Sequence, residues 1–411
     1  MKILHSGDWH VGQTLDGYER SGEFRAFFAR LKEVAQEEKP DVLVVAGDIY
    51  DNGMPSTAAQ TLYTTALLDL HRACPDMEVV VIAGNHDSGA RLEISRELWG
   101  AFGIHVLGGL KRGAGDHVDA DRHIVEITAA GGQRKGYVVA VPYIHPLNFP
   151  DLTGDTPREE RPHAFFQTLL DKVAERNADG LPVVLTAHLA VRGGDFSCHE
   201  NAPNRIGGEE CTPAEVLGQG FDYVALGHIH KPQPIPGTEG RMRYSGSVLP
   251  LNFDETHTHS LTLVEIERHG TPPQVRLIPL PAVIPVRTLP AEPAEFEEAL
   301  RELRRFPADE EAYIRVHVKA KDFLPSNSAE RVVQALEGKK ARYCSIKMVS
   351  EALSSHVSAP RFRVSEIRAT SPVEMAKIYY ENEYNSELEP ELEEMLQEVW
   401  RETHRDTMSE A

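Results

Sequence analysis

The 411-residue chain reads as an α/β protein with more than one domain. Three observations carry that reading. Residues 1–110 alternate short apolar, β-branched runs with longer stretches whose apolar residues recur at helical spacing. The β-like runs end in sharp polar turns rich in Asp, Asn, Gly and His, the place where open α/β sheets build ligand sites. The length exceeds what one ordinary core supports, so two or three domains are expected.

Taken in order, Lys2–Ser6 is a β-rich run, and Gly22–Glu37 carries Phe24, Phe27, Phe28, Leu31 and Val34 on one helical face. Asp41–Ala46 is apolar and β-branched, as a strand buried on both sides should be. Ser56 is placed to cap a helix running through Leu62, Leu67 and Leu70, and Glu78–Ala83 is a third strand. This order implies parallel strands with right-handed crossovers. From 104 to 150 the pattern changes to short alternating runs, Ile124–Thr128 and Gly136–Pro142, divided by glycine-rich turns. Phe165–Glu175 is helical and Leu181–Thr186 a strand. Residues 192–213 form a long loop of the kind that is usually functional or mobile. Further β-like runs cover Met242–Ser245, Ser260–Glu265 and Gln274–Leu280. The proline-rich stretch Pro279–Pro293 marks the end of the first domain. Beyond it, helices Phe296–Arg305 and Ser328–Leu336 alternate with strands Ala312–Lys319 and Tyr343–Val349 in a small α+β module. Ser355–Ser371 is a linker, and Ser371-Pro372-Val373-Glu374 opens a helix. A second helix, Pro390–Glu402, has Leu392, Met395, Leu396, Val399 and Trp400 on one face, which fits a partner groove or else folds onto the main body. The expected division is therefore 1–280, 281–354 and 355–411.

With 41% hydrophobic and 26% charged residues, the composition is that of an ordinary soluble protein. No apolar run approaches the ~20 residues that span a bilayer. Met1-Lys2-Ile3-Leu4 enters the first strand directly, so no signal peptide and a cytoplasmic location are expected. Cys74, Cys198, Cys211 and Cys344 form no Cys-x-x-Cys pair and read as reduced thiols. A zinc site of Cys198, His199 and Cys211 is conceivable, although its spacing matches no familiar zinc signature. The formal charge of −20 argues at first against a nucleic-acid partner. Its distribution is uneven, however. Residues 374–411 hold twelve acidic and three basic residues, whereas 304–368 hold thirteen basic and eight acidic ones. The acidic tail masks a basic module in front of it.

Five turns carry the chemistry: Asp8-Trp9-His10, Gly47-Asp48-Ile49-Tyr50-Asp51, Gly84-Asn85-His86-Asp87, Ala187-His188 and Gly227-His228-Ile229-His230. The candidate ligands are Asp8, His10, Asp48, Asn85, His188, His228 and His230. Two carboxylates, one carboxamide and four imidazoles suit a pair of transition-type divalent ions better than an all-oxygen Mg²⁺ site. Asp48, midway in the motif order, has two oxygens with which to bridge two ions. Ions ~3.5–4 Å apart can activate a water and stabilise charge on a displaced phosphoryl group. His86 is the spare histidine, suited to protonate a leaving oxygen or to stabilise transition-state charge. Asp51 and Asp87 are candidates to orient a ligand or His86, or to serve as turn and capping residues.

These five motifs, in this order, resemble the calcineurin-like metallophosphoesterase superfamily over residues 1 to about 280. Gly47–Pro55, Phe221–His230 and Tyr244–Glu255 are similar to the corresponding segments of one family within it, the SbcD nuclease subunits. The resemblance implies a β-sandwich flanked by helices, a small capping domain, and a C-terminal helical segment that docks on an SbcC-like SMC ATPase. It implies two Mn²⁺ ions, with Mg²⁺ or other divalent ions as possible substitutes. Asp8, His10, Asp48 and His230 would hold one, and Asp48, Asn85, His188 and His228 the other, with His86 catalytic. The implied activities are 3′→5′ exonuclease on duplex DNA and endonuclease on hairpins or single strands, in DNA repair and recombination, by a homodimer within a heterotetramer on the nucleoid. Archaeal and eukaryotic relatives carry histidine where this chain has Asp51. Lys339, Lys340 and Arg342 of the basic module are candidate phosphate contacts, or else part of a solvated face. The same seven ligands would also serve a stand-alone phosphatase or cyclic-nucleotide phosphodiesterase. A metal-binding scaffold with a decayed site is the non-enzymatic alternative.

Overall fold

A computed structural model of the chain describes residues 1–110, 118–129, 131–151, 155–196, 211–320, 324–350 and 372–384, and beyond them 388, 392–393 and 395–397. By packing, the chain divides into two compact units. One is Met1–Arg287 with Glu311–Ile314 and Lys340–Cys344; the other is Thr288–Glu310, Arg315–Lys339 and the chain from Ser345 on.

The first unit contains two six-stranded sheets. In chain order their strands are β1 (Lys2–Ser6), β2 (Val42–Ala46), β3 (Glu78–Ile82), β4 (Ile104–Leu107), β5 (Ile124–Thr128), β6 (Arg134–Val141), β7 (Val183–His188), β8 (Tyr223–Gly227), β9 (Gln233–Pro234), β10 (Met242–Tyr244), β11 (Ser260–Glu265) and β12 (Gln274–Pro279). One sheet has the order β12-β11-β1-β2-β3-β4 and the other β5-β6-β7-β8-β10-β9. In both, the central strands that end in the candidate motifs run parallel: β1, β2 and β3 in the first, β7 and β8 in the second. Such strands need crossover connections, and helices α1 (Ser21–Glu38) and α2 (Thr57–Ala73) supply them.

Helix α1 buries the predicted stripe of Phe24, Phe27, Phe28, Leu31 and Val34. Burying each such side chain is worth about 1.5–3 kcal/mol. The helix stops at Lys39, whose φ of 49° is left-handed and whose N–H returns to the Ala35 carbonyl. Helix α2 begins where the Ser56 hydroxyl accepts from the Ala59 N–H at 3.2 Å. Both helices pack on the outer face of the first sheet, against Leu43, Val45, Val79 and Val81. Helix Arg161–Arg176 covers the second sheet through Phe165, Phe166, Leu169 and Val173. Between the sheets Ile3, Val42, Val44 and Ile82 meet Val138, Ala140, Val184 and Ala225. A β-sandwich flanked by helices is the result.

His5 ties the sheets together at the motif end. Its Nε2 lies 3.2 Å from the Leu226 carbonyl and its Nδ1 3.0 Å from the Tyr223 hydroxyl. A carbonyl only accepts, so Nε2 donates and Nδ1 accepts the tyrosine proton.

Strands β13 (Val286–Ala294), β14 (Tyr313–Ala320) and β15 (Arg342–Ser350) form a three-stranded sheet in that order, accompanied by helices Phe296–Arg305 and Ser328–Ala335. The proline-rich stretch expected to be a boundary thus contains a strand. Its prolines are tolerated because β13 is an edge, where an absent N–H breaks no ladder. Helix Pro372–Tyr384 follows the expected start at Pro372. The linker 355–371, most of the 192–213 loop, Val399 and Trp400 lie outside the described residues. Among those described, no helix is long and apolar enough to cross a membrane.

Burial, reinforced by the Arg243 charge, pushes the His5 imidazole down to about 3. Unfolded, the ring titrates near 6.5. As pH falls below ~6.5 the unfolded chain gains a proton that the folded one refuses, so stability drops through the window down to about 3. Thermal unfolding of His5→Gln across that window should show a pH slope shallower by up to about one proton than wild type. Equal slopes would show that His5 is not the group responsible.

Candidate metal centre

Tight backbone geometry makes the site. The loop after β1 is zipped to the loop after β2: Asp8 N–H donates to Gly47 O at 3.0 Å, His10 N–H to Asp48 O at 3.0 Å, and Val11 N–H to Ile49 O at 2.9 Å. Trp9, between the two candidate ligands, points the other way and anchors the loop. It is fully buried, donates to Ser6 Oγ at 2.8 Å, and meets Phe27, Phe28 and Tyr63 edge-on. Asp8, His10, Asp48 and His228 have φ of 50°, 47°, 49° and 102°. Left-handed backbone at non-glycine residues costs of order 1–3 kcal/mol each and persists where surroundings over-determine it.

Two glycines permit the close approach. A Cβ at Gly84 would lie 2.1 Å from Asp48 Oδ1 and 2.3 Å from Asp48 N; one at Gly227 would lie 1.8 Å from the Ala46 carbonyl oxygen. Buried carboxylates then lock the turns to one another. Asp8 Oδ1 accepts from His228 N–H at 2.8 Å, and Asp48 Oδ1 from His86 N–H at 2.9 Å. Asp87 accepts three backbone N–H groups, from Ile49 and Gly84 on Oδ2 and from Tyr50 on Oδ1. It is the clamp between the second and third motifs.

All seven candidate ligands converge. Asp48 Oδ2 stands 3.5 Å from His10 Nε2 and 3.3 Å from His188 Nε2, between two imidazoles. Ligand atoms of Asp8, His10 and His230 fall within 4.8 Å of one another, as do those of Asp8, Asp48 and His188. Asn85 Oδ1 is 2.9 Å from His188 Nε2 and 3.0 Å from His228 Nδ1. Since His188 Nδ1 donates to the Ala46 carbonyl at 2.8 Å, its Nε2 lone pair faces the centre. Asp8 Oδ2 and His10 Nε2 are buried without a hydrogen-bond partner. Unpaired buried groups of this kind are costly, and a divalent cation among them removes the cost. The residues present therefore fit divalent metal binding.

Electrostatics agree. Burial alone would lower the His188 pKa, but the Asp48 carboxylate, with Asp8 and the Ala46 carbonyl, outweighs it and raises the value to about 9. Burial opposes ionisation of Asp48 too, yet the facing His188, His10 and His86 hold its carboxyl far below the usual range. Burial and the Asp48 charge push Asp87 up to about 6 against its three N–H donors.

His86 is exposed beside this cluster, its Nδ1 2.9 Å from the Asp51 carbonyl and its ring 4.8 Å from that of His10. Asp51 Oδ1 is 3.6 Å from His10 Nδ1, so Asp51 braces both histidines. One participant has no signal in the motifs: Glu255, 2% exposed, whose Oε1 is 3.0 Å from His230 Nδ1. Only its place in the Tyr244–Glu255 segment marks it. Of the three basic candidates, Lys339 donates to the Arg304 and Phe306 carbonyls. Arg342 pairs with Glu311 and donates to the Tyr313 hydroxyl at 2.9 Å, over the Tyr18 and Tyr313 rings. Lys340 is exposed. Cys198 and His199 of the conceivable zinc site lie outside the described residues.

Two outcomes follow from this geometry. Gly84→Ala should abolish metal binding in calorimetry while circular dichroism still shows a folded sandwich; full binding would mean the approach of Gly84 to Asp48 is not needed. Because His188 titrates at about 9 without metal, binding near pH 7.5 should release about one proton. Titrations in buffers of different ionisation enthalpy check this, and no release would contradict the His188 assignment.

The calcineurin-like phosphoesterase family model matches residues 1–232, more than half of the chain. A second model, described as the type 5 capsule protein repressor C-terminal domain, matches 283–384. The chain is 39% identical over 298 residues to the SbcD subunit of the SbcCD nuclease of Rhodobacter capsulatus, covering 71% of this chain and 72% of that one. The proteins of the same name from Escherichia coli and Bacillus subtilis are 29% and 32% identical, the first over 82% of both chains and the second over 64% of this chain and 66% of its own. The chain belongs to the SbcD branch of the calcineurin-like phosphoesterases, metal-dependent enzymes that cleave phosphoester bonds.

Proposed function

We propose that this protein is the nuclease subunit of a DNA-cleaving complex: a Mn²⁺-dependent phosphodiesterase with 3′→5′ exonuclease activity on duplex ends and endonuclease activity on hairpins and single strands. It works on nucleoid DNA in the cytoplasm, in repair and recombination, as a homodimer joined to an SbcC-like SMC ATPase. The observation that carries the reading is Asp48 Oδ2 lying between His10 Nε2 and His188 Nε2, where neither His10 Nε2 nor the nearby Asp8 Oδ2 has a hydrogen bond. The relatives are named as the SbcD component of a nuclease, SbcCD, which supports both the substrate and the partner.

In this reading Asp8, His10, Asp48 and His230 hold one ion, and Asp48, Asn85, His188 and His228 the other. When bound, such a pair supplies an activated water and neutralises charge on the phosphoryl group. The chain's own residues do the rest. The His188 Nδ1 bond to Ala46, the Glu255 bond to His230 and the Asp51 contact with His10 set the ring orientations. His86, whose Nδ1–H donates to the Asp51 carbonyl, has Nε2 left to meet the substrate; as the imidazolium it passes its Nε2 proton to the departing sugar oxygen and returns to the neutral ring. Asp87 keeps the two turns that carry Asp48 and His86 in register. Phosphate contacts are assigned to Lys339, Lys340 and Arg342. Lys340 is the most accessible of these, because the other two are tied to neighbouring protein groups.

Cleavage of a labelled hairpin duplex with Mn²⁺ and the ATPase partner tests the proposal. His86→Ala should lose about 10²–10⁴-fold in rate with metal still bound, and Asp48→Ala should lose the metal of the seven-residue centre together with activity. Faster turnover of a phosphomonoester or a cyclic nucleotide than of DNA would favour the stand-alone phosphatase reading instead.

A further inference from the structure

Just beyond the main cluster, Glu255, His257 and His259 occupy every second position of the segment leading into β11. One ligand atom from each lies within 4.8 Å of the others. Glu255 and His259 are 2% and 5% exposed.

Their hydrogen bonds leave them prepared for a ligand. His259 Nδ1 is 2.9 Å from the Ser247 carbonyl and 3.2 Å from its hydroxyl, so Nδ1 carries the proton and Nε2 keeps its lone pair. That hydroxyl donates onward to Glu255 Oε2 at 2.6 Å. Such a carbonyl–histidine arrangement is the usual support behind a metal-binding imidazole. The rings of His257 and His259 have centroids 4.7 Å apart. Both ring nitrogens of His257 are shielded from solvent, and the His230 backbone carbonyl faces the ring without a well-aligned hydrogen bond. One such contact satisfies at most one of the two ring nitrogens, so the other is left shielded and unpaired, and a cation that accepts its lone pair makes good the loss.

We propose that Glu255, His257 and His259 form a further binding site for a single divalent ion of the zinc class, separate from the seven-residue centre. Two imidazoles and one carboxylate, with a fourth position left to water, form a familiar zinc donor set, whereas Mg²⁺ and Ca²⁺ prefer oxygen alone. The site is coupled to the main centre through one residue. Glu255 Oε1 also accepts from His230 Nδ1 and from Asn252 Nδ2 at 3.2 Å. An ion at this site draws on the carboxylate that orients His230, so its occupancy tunes the main centre.

The 411-residue chain, dialysed against Zn²⁺ and in parallel Co²⁺, is assayed for bound metal by mass spectrometry. Wild type should hold one equivalent more than His257→Ala or His259→Gln, and the missing equivalent should take its Co²⁺ visible band with it. The glutamine retains a donor for the Ser247 carbonyl, and circular dichroism verifies that both variants are folded. Asp48→Ala, which dismantles the main centre, should keep this one equivalent. Equal metal content in wild type and both histidine variants would overturn the proposal, as would complete loss of metal in a folded Asp48→Ala. Neither result depends on the DNA-cleaving activity.

Discussion

Two carboxylates buried side by side organise this molecule. Asp8 and Asp48 are 0% and 1% exposed, at the ends of adjacent parallel strands. Isolated buried charges of one sign cost several kcal/mol each, so the chain surrounds them with what lowers that cost. Four histidines converge on them, and each carboxylate accepts a backbone N–H from a different motif. The bond from His228 N–H to Asp8 is the most consequential of these, because Asp8 follows a strand of one sheet and His228 a strand of the other. The sandwich is thus closed at its functional end by the same groups that are proposed to receive metal.

Such an arrangement leaves little freedom to the backbone. Four of the seven candidate ligands adopt left-handed conformations, and glycines stand where Cβ atoms would collide with Asp48 or the Ala46 carbonyl. Strain of this sort is sustained only by rigid support. That support is visible outside the cluster: the Trp9 side chain wedged against α1 and α2, the triple hydrogen bond of Asp87, and His5 joining β1 to β8. Geometry matched to a divalent cation is therefore built into the chain itself.

Basic side chains of the 304–368 stretch have structural partners as well as the ligand role proposed for them. Arg342 belongs to a stretch with an excess of positive charge, and a phosphate contact is the simple expectation. Its guanidinium also lies in a network with Tyr313 and Glu23, which is held by the buried bidentate pair of Arg20. Bidentate, stacked arginines of this type hold structure as readily as they hold ligands.

The sequence by itself determined the alternation of strands and helices, the stripe of α1, the Ser56 cap and the seven candidate ligands. Each of these is written in local spacing, in turn chemistry or in a residue type with few other uses. Tertiary structure alone decided what depends on residues distant in sequence. That Asp48 Oδ2 lies between His10 and His188, that Glu255 orients His230, that His5 bridges the sheets and that β13 takes an edge where its prolines are harmless have no local signature. Helical and strand periodicity report which face of an element is buried, but not which distant group it will meet. That pairing is set by the packing of the two sheets, and there the chemistry of the site is assembled.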